Sequence, residues 1–272
     1  MSDHTPPEND RGRDPVAHAV ACFSFDNMGE AAEIGAGTLS GARPVGGERS
    51  LAIGQPRLLD LLDAHGVRGT FFVEGWNGLH HPEAVREVVA RGHRLGMHGW
   101  LHEVWHELEP EREAELATRA TEALRDAAGE RPTGFRAPGG ARTPATEALL
   151  ARLGYAYDAS LGDGMRPTLL PGGLPQVPFV WPCVDGFFYL RDTPATPQEV
   201  AERWLAALAR TAERGGLFVL ICHAHITGLD EARLAALDTV LAAAVREPRI
   251  AVQTVDEVAA AIRPAPGSVL AK

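Results

Sequence analysis

The stretch Gln55-Pro-Arg-Leu-Leu-Asp-Leu-Leu-Asp-Ala-His65, followed closely by Arg68-Gly-Thr-Phe-Phe-Val73, decides the fold. Leucines three and four positions apart in the first segment are typical of a helix with one buried face. The β-branched and aromatic residues of the second segment are typical of a buried strand. Together the two segments predict a helix that packs on a sheet and a strand that lies within it.

The same alternation of strand and helix recurs about seven times along the chain, as in α/β folds with a parallel sheet. Strands are predicted at 18–25, 68–73, 93–97, 133–135, 155–161, 217–222 and 250–255. Helices are predicted at 55–65, 82–91, 110–128, 144–153, 197–214, 230–246 and up to residue 262. The stretch 174–190 contains several prolines and is predicted as edge strands or a hairpin, because proline cannot donate within a central ladder. We favour a (β/α) barrel over an open sheet.

The two ends of the chain differ from the part between them. Residues 1–15 and 264–272 lack apolar periodicity, so we expect a disordered tail at each end of a single domain at 16–263. The Gly-rich stretch Gly35–Gly47 has no phosphate-loop pattern and is predicted to be a mobile loop that covers the cavity.

The composition excludes several classes of protein. With 45% hydrophobic and 23% charged residues, the chain fits an ordinary globular domain. The net charge of −10 opposes binding to nucleic acid or to an anionic membrane, which leaves neutral small molecules or further copies of the chain as expected partners. No membrane-spanning run or signal-peptide core is present, so we expect a cytoplasmic protein. Three cysteines without C-x-x-C spacing are expected to be buried thiols.

Polar side chains follow most of the predicted strands, and in such folds these positions meet at one end of the sheet. His98-Gly-Trp-Leu-His102 places two imidazoles four positions apart, so both can reach one metal ion. A carboxylate or amide from the first strand could complete a three-ligand zinc site with a position left open for water. The candidate residues are Asp26, Asn27, Glu74, His98, His102, Arg136, Asp158, Asp163, His223 and His225.

Five segments in order resemble the motif series of the polysaccharide deacetylase family: Ser24–Asn27, His98–His102, Arg136–Gly139, Tyr157–Leu161 and Ile221–His223. The resemblance runs from about residue 18 to 260, and its layout is most similar to the branch that contains peptidoglycan-deacetylase-like proteins and metal-independent allantoinases. It implies a distorted (β/α) barrel of about seven strands. It also implies a metal-dependent hydrolase that removes an N-acetyl group from an amino sugar.

The resemblance also implies a role for each matching residue. Asp26 would be the general base, His98 and His102 would hold the metal, His223 would protonate the leaving amine, and Arg136 would orient the base. For substrate binding we expect contributions from Trp100, Pro138, Trp181 and His225. The expected substrate is a soluble small molecule or glycoside, and the expected cofactor is a divalent metal, zinc first.

Two departures from the family pattern affect the cofactor and the substrate. Asn27 and Met28 stand where most members carry a second carboxylate ligand. Asn27 could ligate through its carbonyl oxygen, Asp26 could ligate instead, and Glu30 is a third candidate; a neutral amide would weaken metal binding, change the metal or abolish binding. Gly139 stands where an aromatic residue usually follows Arg-x-Pro, which removes one wall of a sugar-stacking groove.

Alternatives stay open for each motif. His102-Glu-Val-Trp-His106 matches the H-E-x-x-H motif of zinc proteases, although Pro110 follows too soon for a long helix. His98 and His102 could be hydrogen-bonded without an ion, and His223 could be a satisfied core histidine. Asp26 could cap a loop and Arg136 could brace one. For the function, the alternatives are a cyclic ureide or imide hydrolase, with or without metal, and a ligand-binding protein without turnover.

Overall fold

The structure is a computed structural model that describes residues 19–39, 48–162 and 164–262. The two predicted tails and residue Asp163 lie outside the described residues. Of the predicted lid Gly35–Gly47, only residues 35–39 are described, so the proposed closure of this loop stays a prediction.

A single curled sheet of nine strands organises the molecule, in the order β6-β7-β5-β4-β3-β2-β1-β8, with β9 also paired to β1. All the pairings are parallel except that of β6 with β7. The strands are β1 (Ala19–Asp26), β2 (Thr70–Val73), β3 (Arg94–Met97), β4 (Gly134–Phe135), β5 (Tyr157–Asp158), β6 (Thr168–Leu169), β7 (Pro175–Gln176), β8 (Gly216–His223) and β9 (Ile250–Val252).

Helices surround the sheet on its outside, except the last, which packs against its inner face. They are α1 (Ala31–Gly35), α2 (Gln55–His65), α3 (Gly75–His80), α4 (Pro82–Ala90), α5 (Pro110–Ala128), α6 (Thr146–Leu153), α7 (Asp185–Tyr189), α8 (Pro197–Arg214), α9 (Glu231–Arg246) and α10 (Val255–Ile262). Local sequence sets several of their ends: α8 begins with a capping box formed by Thr196 and Glu199, and α5 ends at Gly129, which has a φ of 77°. None of the described helices combines the length and the apolar character that crossing a membrane requires.

The distortion of the barrel lies between β7 and β8. Val184 pairs with Ile221 of β8 through one isolated parallel bridge, and Phe179 pairs with Leu161 beyond the end of β5. The segment after β7 therefore lies between the two edges of the sheet and closes it without a regular strand. At the other side of β8, Asp26 stands beside His223 and Phe72 in register, so the carboxyl ends of three strands meet.

Two apolar layers fill the fold. The outer layer lies between the strands and the helices, and the inner layer fills the barrel with side chains that include Phe72, Tyr157, Val219 and the apolar face of α10. Glycines on β3 and β4 make room for the inner rings, because a Cβ at Gly96 would lie 2.4 Å from the ring of Phe72 and one at Gly134 would lie 2.1 Å from the ring of Tyr157.

The structure confirms the predicted single-domain α/β barrel and corrects its details. It has nine strands instead of about seven, because the segment 155–190 forms several two-residue strands. The stretch 174–190 forms β7 as expected, but continues into the single turn Trp181–Cys183 and α7 instead of a second hairpin strand. The three cysteines are buried and unbridged, as predicted.

Candidate active site

A cavity of about 350 Å³ opens at the carboxyl ends of the strands. This is where chemistry is expected in a parallel barrel. Its polar lining consists of seven of the residues singled out by the sequence, namely Asp26, Asn27, His98, His102, Arg136, His223 and His225. The remaining lining is apolar or glycine.

Asp26 and Arg136 form a buried ion pair at the floor of the cavity. Nη1 of Arg136 donates to Oδ1 of Asp26 over 2.6 Å, and both side chains are almost fully buried. Burial alone would raise the pKa of Asp26, but the charges of Arg136, His98 and His223 together with the Arg136 hydrogen bond bring it below its ordinary value. Asp26 is therefore ionised at neutral pH and has a fixed orientation.

Arg136 is held on every side. Its Nε donates to the backbone oxygen of Ala159 over 2.9 Å, and its Nη1 also donates to Oγ of Ser24 over 3.0 Å. The guanidinium lies 4.1 Å above the ring of Phe72. Of its nitrogens, Nη2 is buried without a hydrogen-bond partner. These contacts make the guanidinium a rigid support for the Asp26 carboxylate.

The loop after Arg136 is fixed from β5. Oγ of Ser160 accepts from the backbone nitrogen of Ala137 over 2.9 Å and donates to Oδ1 of Asp158 over 2.6 Å. Asp158 is fully buried and also lies 3.3 Å from Nη1 of Arg142. Asp158 thus holds the Arg136 loop in place and does not touch His223.

His98 and His102 meet at the cavity with their rings 5.0 Å apart. Nδ1 of His98 donates to the backbone oxygen of Arg136 over 2.9 Å, so in the neutral ring Nε2 carries the lone pair. That Nε2 lies 3.9 Å from Oδ2 of Asp26. Burial lowers the pKa of His98 to about 3, and burial together with His223 lowers that of His102. Both rings are neutral at pH 7, the form that binds a metal.

A tight turn brings the two histidines together. His102 has a φ of 60°, and Gly99, which precedes it in the turn, has a φ of 75°. The carboxylate of Glu103 accepts from the backbone nitrogens of Trp100 and Leu101 over 3.0 and 2.9 Å. Backbone strain of this kind at a non-glycine residue is typical of functional sites.

This turn is incompatible with the zinc-protease interpretation of His102-Glu-Val-Trp-His106. The segment Trp105–Glu107 is one 3-10 turn instead of a regular helix, and Glu103 is engaged in holding the backbone. The side chain of His106 is half exposed and is not part of the cavity lining.

Asn27 is the other non-glycine residue with positive φ among the described residues, at 57°. Asparagine tolerates this conformation better than most residues. Its Oδ1 is buried without a hydrogen-bond partner. No group of three His, Cys, Asp or Glu side chains in the described part of the chain is arranged to hold a metal. His98, His102 and Asn27 line the same cavity, and two imidazoles with one amide oxygen are donors that suit a divalent cation but bring no carboxylate charge.

His223 has a partner that the sequence did not indicate. Nδ1 of His223 lies 2.5 Å from Oδ1 of Asp185, the first residue of α7, which is fully buried. Oδ2 of Asp185 accepts from the backbone nitrogen of His223 over 2.8 Å and from Oγ1 of Thr227 over 2.7 Å. Burial alone would lower the pKa of His223, but the negative charge of Asp185 and its hydrogen bond raise it above the ordinary value.

The predicted substrate-binding residues separate into two groups. Trp181 and His225 line the cavity, and burial lowers the pKa of His225 to about 4. Trp100 is buried outside the cavity, where the guanidinium of Arg119 lies 3.7 Å from its ring centre. Pro138 is buried too and packs on the turn at Gly99, where an added Cβ would lie 2.9 Å from its Cγ. Neither Trp100 nor Pro138 lines the cavity, which corrects their expected role.

Glu74, directly after β2, is a fully buried carboxyl behind the Asn27 loop. Its Oε2 accepts from Nδ2 of Asn77 over 2.9 Å and from the backbone nitrogen of Met28 over 3.4 Å, while its Oε1 has no partner. Burial raises its pKa to about 8. Glu30, the third candidate ligand, pairs instead with His81 and is not part of the cavity lining.

Comparison with known proteins gives the family. The profile described as polysaccharide deacetylase matches residues 53–157. A crystal structure from Mycobacterium smegmatis, provisionally designated a polysaccharide deacetylase, is 31% identical with a TM-score of 0.82, over 95% of this chain and 94% of that one. The chain belongs to the polysaccharide deacetylase family.

Two further proteins are similar to the chain. The peptidoglycan deacetylase of Helicobacter pylori is 32% identical over 109 residues, which is 40% of this chain and only 37% of that protein. The chain thus aligns with little more than a third of that curated relative. The crystal structure of the allantoinase PuuE is 23% identical with a TM-score of 0.77, over 93% of this chain and 94% of that one, and shows a shared fold.

Proposed function

We propose that this member of the polysaccharide deacetylase family is a hydrolase that removes an N-acyl group, in the first instance acetyl, from an amino-sugar-containing small molecule or glycoside. The observation that carries the proposal is the placement of two opposed proton-transfer groups in one cavity. Asp26 is ionised beside Arg136, and Asp185 raises the pKa of His223 and so favours its protonated form. Hydrolysis of an amide needs both a base for water and an acid for the amine.

Asp26 is the general base in this proposal. Its Oδ1 is engaged by Arg136, whereas its Oδ2 faces the two histidines, so Oδ2 is the atom that takes the proton of the attacking water. Arg136 is a positioning residue that fixes this carboxylate and keeps it charged. Because the guanidinium itself is held by Ala159 and Ser24, the carboxylate cannot turn away from the water.

His223 is the general acid. Its Nδ1 is engaged by Asp185, so the proton delivered to the leaving amine is the one on Nε2. The three hydrogen bonds from His223, Thr227 and the backbone keep Asp185 in place and direct the ring into the cavity. An expelled amine is a poor leaving group, so protonation at this atom lowers the barrier to breaking the C–N bond.

His98, His102 and Asn27 would hold a divalent metal, with zinc the first expectation. Bound there, the metal would act as a Lewis acid on the acyl oxygen and would make water more acidic. The unpartnered Oδ1 of Asn27 and the lone pair on Nε2 of His98 support this assignment. The hydrogen bond from Nδ1 of His98 to the backbone oxygen of Arg136 fixes the ring in the tautomer that a metal requires.

Metal content and acetate release test the proposal together. Protein purified without chelator is compared with His98→Ala, His102→Gln and His106→Ala after addition of zinc or cobalt, with thermal unfolding as a check that each variant folds. We expect about one metal per chain in the wild type and in His106→Ala, and a loss of metal in the other two variants. Acetate release from acetamido sugars is expected to follow metal content. Reaction of a cyclic ureide, with no acetate from any acetamide, would overturn the proposal in favour of ring opening.

A further inference from the structure

We propose that the substrate carries an apolar group, an aryl ring or an alkyl chain of similar size, on the amine side of the bond that is cleaved. This inference rests on the proposed function and names the class of compound that the same site accepts. The group would lie against an apolar wall formed by Phe179, Trp181, Val184, Phe187, Leu190 and Ile226. An N-acyl amino sugar with an apolar aglycone has this chemistry.

The small number of polar side chains in the cavity lining supports the proposal. All the charged side chains among its described lining residues belong to the reacting cluster, and beyond that cluster only the imidazole of His225 and the indole N–H of Trp181 can form hydrogen bonds. Asp26 and Arg136 satisfy each other, and His223 is paired with Asp185. A sugar chain presents many hydroxyls, and each needs a polar partner when it leaves water. His225 and Trp181 are too few to serve the hydroxyls of a sugar chain, and the other lining residues beyond the reacting cluster have apolar side chains or none.

The residues of the apolar wall are fixed by contacts with the rest of the fold. Val184 is bridged to Ile221 of β8, and the ring of Phe179 meets that of Trp181 at 90° with centres 5.4 Å apart. On the far side, the guanidinium of Arg191 lies 3.9 Å from the ring centre of Phe187 and holds it in place. A rigid apolar surface loses little conformational entropy when a ligand binds to it.

The wall lies on the side of the general acid. Asp185 stands within the wall segment, directly after Val184, and binds His223. Ile226 follows His223 on the same loop. Since His223 delivers its proton to the amine, the wall faces the amine part of the substrate and not the acyl part.

Two residues of the wall are unusually exposed for apolar side chains. The side chain of Leu190 is 68% exposed and that of Trp181 is 40% exposed. The other four of the five tryptophans are buried, so Trp181 is the tryptophan that a ligand on this surface contacts, and a fluorescence change that is lost in Trp181→Phe reports on this surface. Leu79 on α3 is 55% exposed but lies outside the cavity lining, which makes it a matched control.

Binding is tested with probes that contain no amide. Phenyl β-glucoside and methyl β-glucoside are titrated against the full chain while the fluorescence of Trp181 is followed. We expect saturable binding of the phenyl compound, at least roughly tenfold tighter than that of the methyl compound. Leu190→Ala should weaken phenyl binding roughly fivefold, and Leu79→Ala should leave it unchanged. Equal binding of both glucosides, or equal effects of both variants, would overturn the proposal.

Turnover separates this inference from the proposed function. Acetate release is measured from the methyl and phenyl glycosides of N-acetylglucosamine and from chitotriose, with wild type, Leu190→Ala and Leu79→Ala. We expect kcat/KM to be highest for the phenyl glycoside and to fall selectively in Leu190→Ala. Selective phenyl binding without any acetate would refute the proposed function and leave the apolar subsite standing. Equal turnover of all three compounds would refute the subsite and leave the deacetylase.

Discussion

Nδ1 of His223 lies 2.5 Å from Oδ1 of Asp185, and His223 stands beside Asp26, the partner of Arg136, on the neighbouring strand. The two pairs have opposite effects on protonation. The carboxylate of Asp185 raises the pKa of the imidazole and favours its protonated form, whereas the guanidinium of Arg136 lowers the pKa of Asp26 and favours its ionised form. An acid and a base with well-separated pKa values in one cavity are the arrangement that amide hydrolysis requires at neutral pH.

The pH profile of the enzyme should depend on Asp185. His223 acts while protonated, so activity is lost as the pH rises through its pKa, which Asp185 raises. Asp185→Asn removes the negative charge and lowers that pKa. We expect the alkaline limb of kcat/KM to move to lower pH by about one unit, which is about a tenfold loss at alkaline pH. Asp192→Asn, at an exposed position of the same segment, is the control. An unchanged limb in Asp185→Asn would show that His223 is not the acid.

Substitutions of Asp26 and Arg136 should have coupled effects on the free energy of unfolding. Loss of Asp26 should lower kcat and leave KM nearly unchanged. Asp26→Asn removes the base, so we expect kcat to fall about 10²- to 10⁴-fold with little change in KM. It also leaves a buried guanidinium without its counter-charge, at a cost of about 3 kcal/mol or more in the free energy of unfolding. The double variant Asp26→Asn/Arg136→Met should therefore unfold at a higher temperature than Asp26→Asn alone. The reverse order would mean that the ion pair is not what stabilises this buried position.

Metal affinity should respond to the charge at position 27. Asn27→Asp adds a carboxylate beside His98 and His102, and aspartate also tolerates positive φ. We expect zinc to bind at least about tenfold more tightly to the metal-free protein, measured by calorimetry. The same change made together with His98→Ala should give no such gain. A gain that survives the loss of His98 would place the metal elsewhere.

Stability should fall with rising pH because of Glu74. Its pKa is about 8 in the folded protein, above the ordinary value of 4.5, so the folded state holds a proton that the unfolded state releases. Its contribution is favourable at low pH and is lost progressively between about pH 4.5 and 8. Glu74→Gln should therefore flatten the decline in the free energy of unfolding by at least about 1 kcal/mol over this range. Glu122→Gln, at an exposed position on α5, should leave the decline unchanged.

Much of the architecture follows from local sequence. The helix at 197–214 has the predicted bounds, because proline, a capping box and an amphipathic repeat all lie within the segment itself. The cavity also gathers Asp26, His98, Arg136 and His223 as expected, since each follows a parallel strand and such positions share one end of a barrel.

The parts that sequence reasoning missed depend on contacts between distant segments. Asp185 is 38 residues from His223 and meets it only because the segment after β7 closes the barrel at Val184. The sequence around Asp185 gives no sign that it is a functional residue, except that it follows a short apolar run. Trp100 was expected to line the cavity, but it is buried against α5 instead. The His98–His102 motif alone does not show which residues of α5 will pack on it.

The rings of Phe72 and Tyr157, which pack over Gly96 and Gly134 inside the barrel, affect how substrate enters and products leave the site. With α10 beneath them, they fill the inner end of the barrel, so the described residues leave no passage from the cavity through its floor. Both fragments of a cleaved substrate have to leave by the route through which the intact molecule came in. Release of the last product fragment therefore limits the rate at which the next substrate can bind.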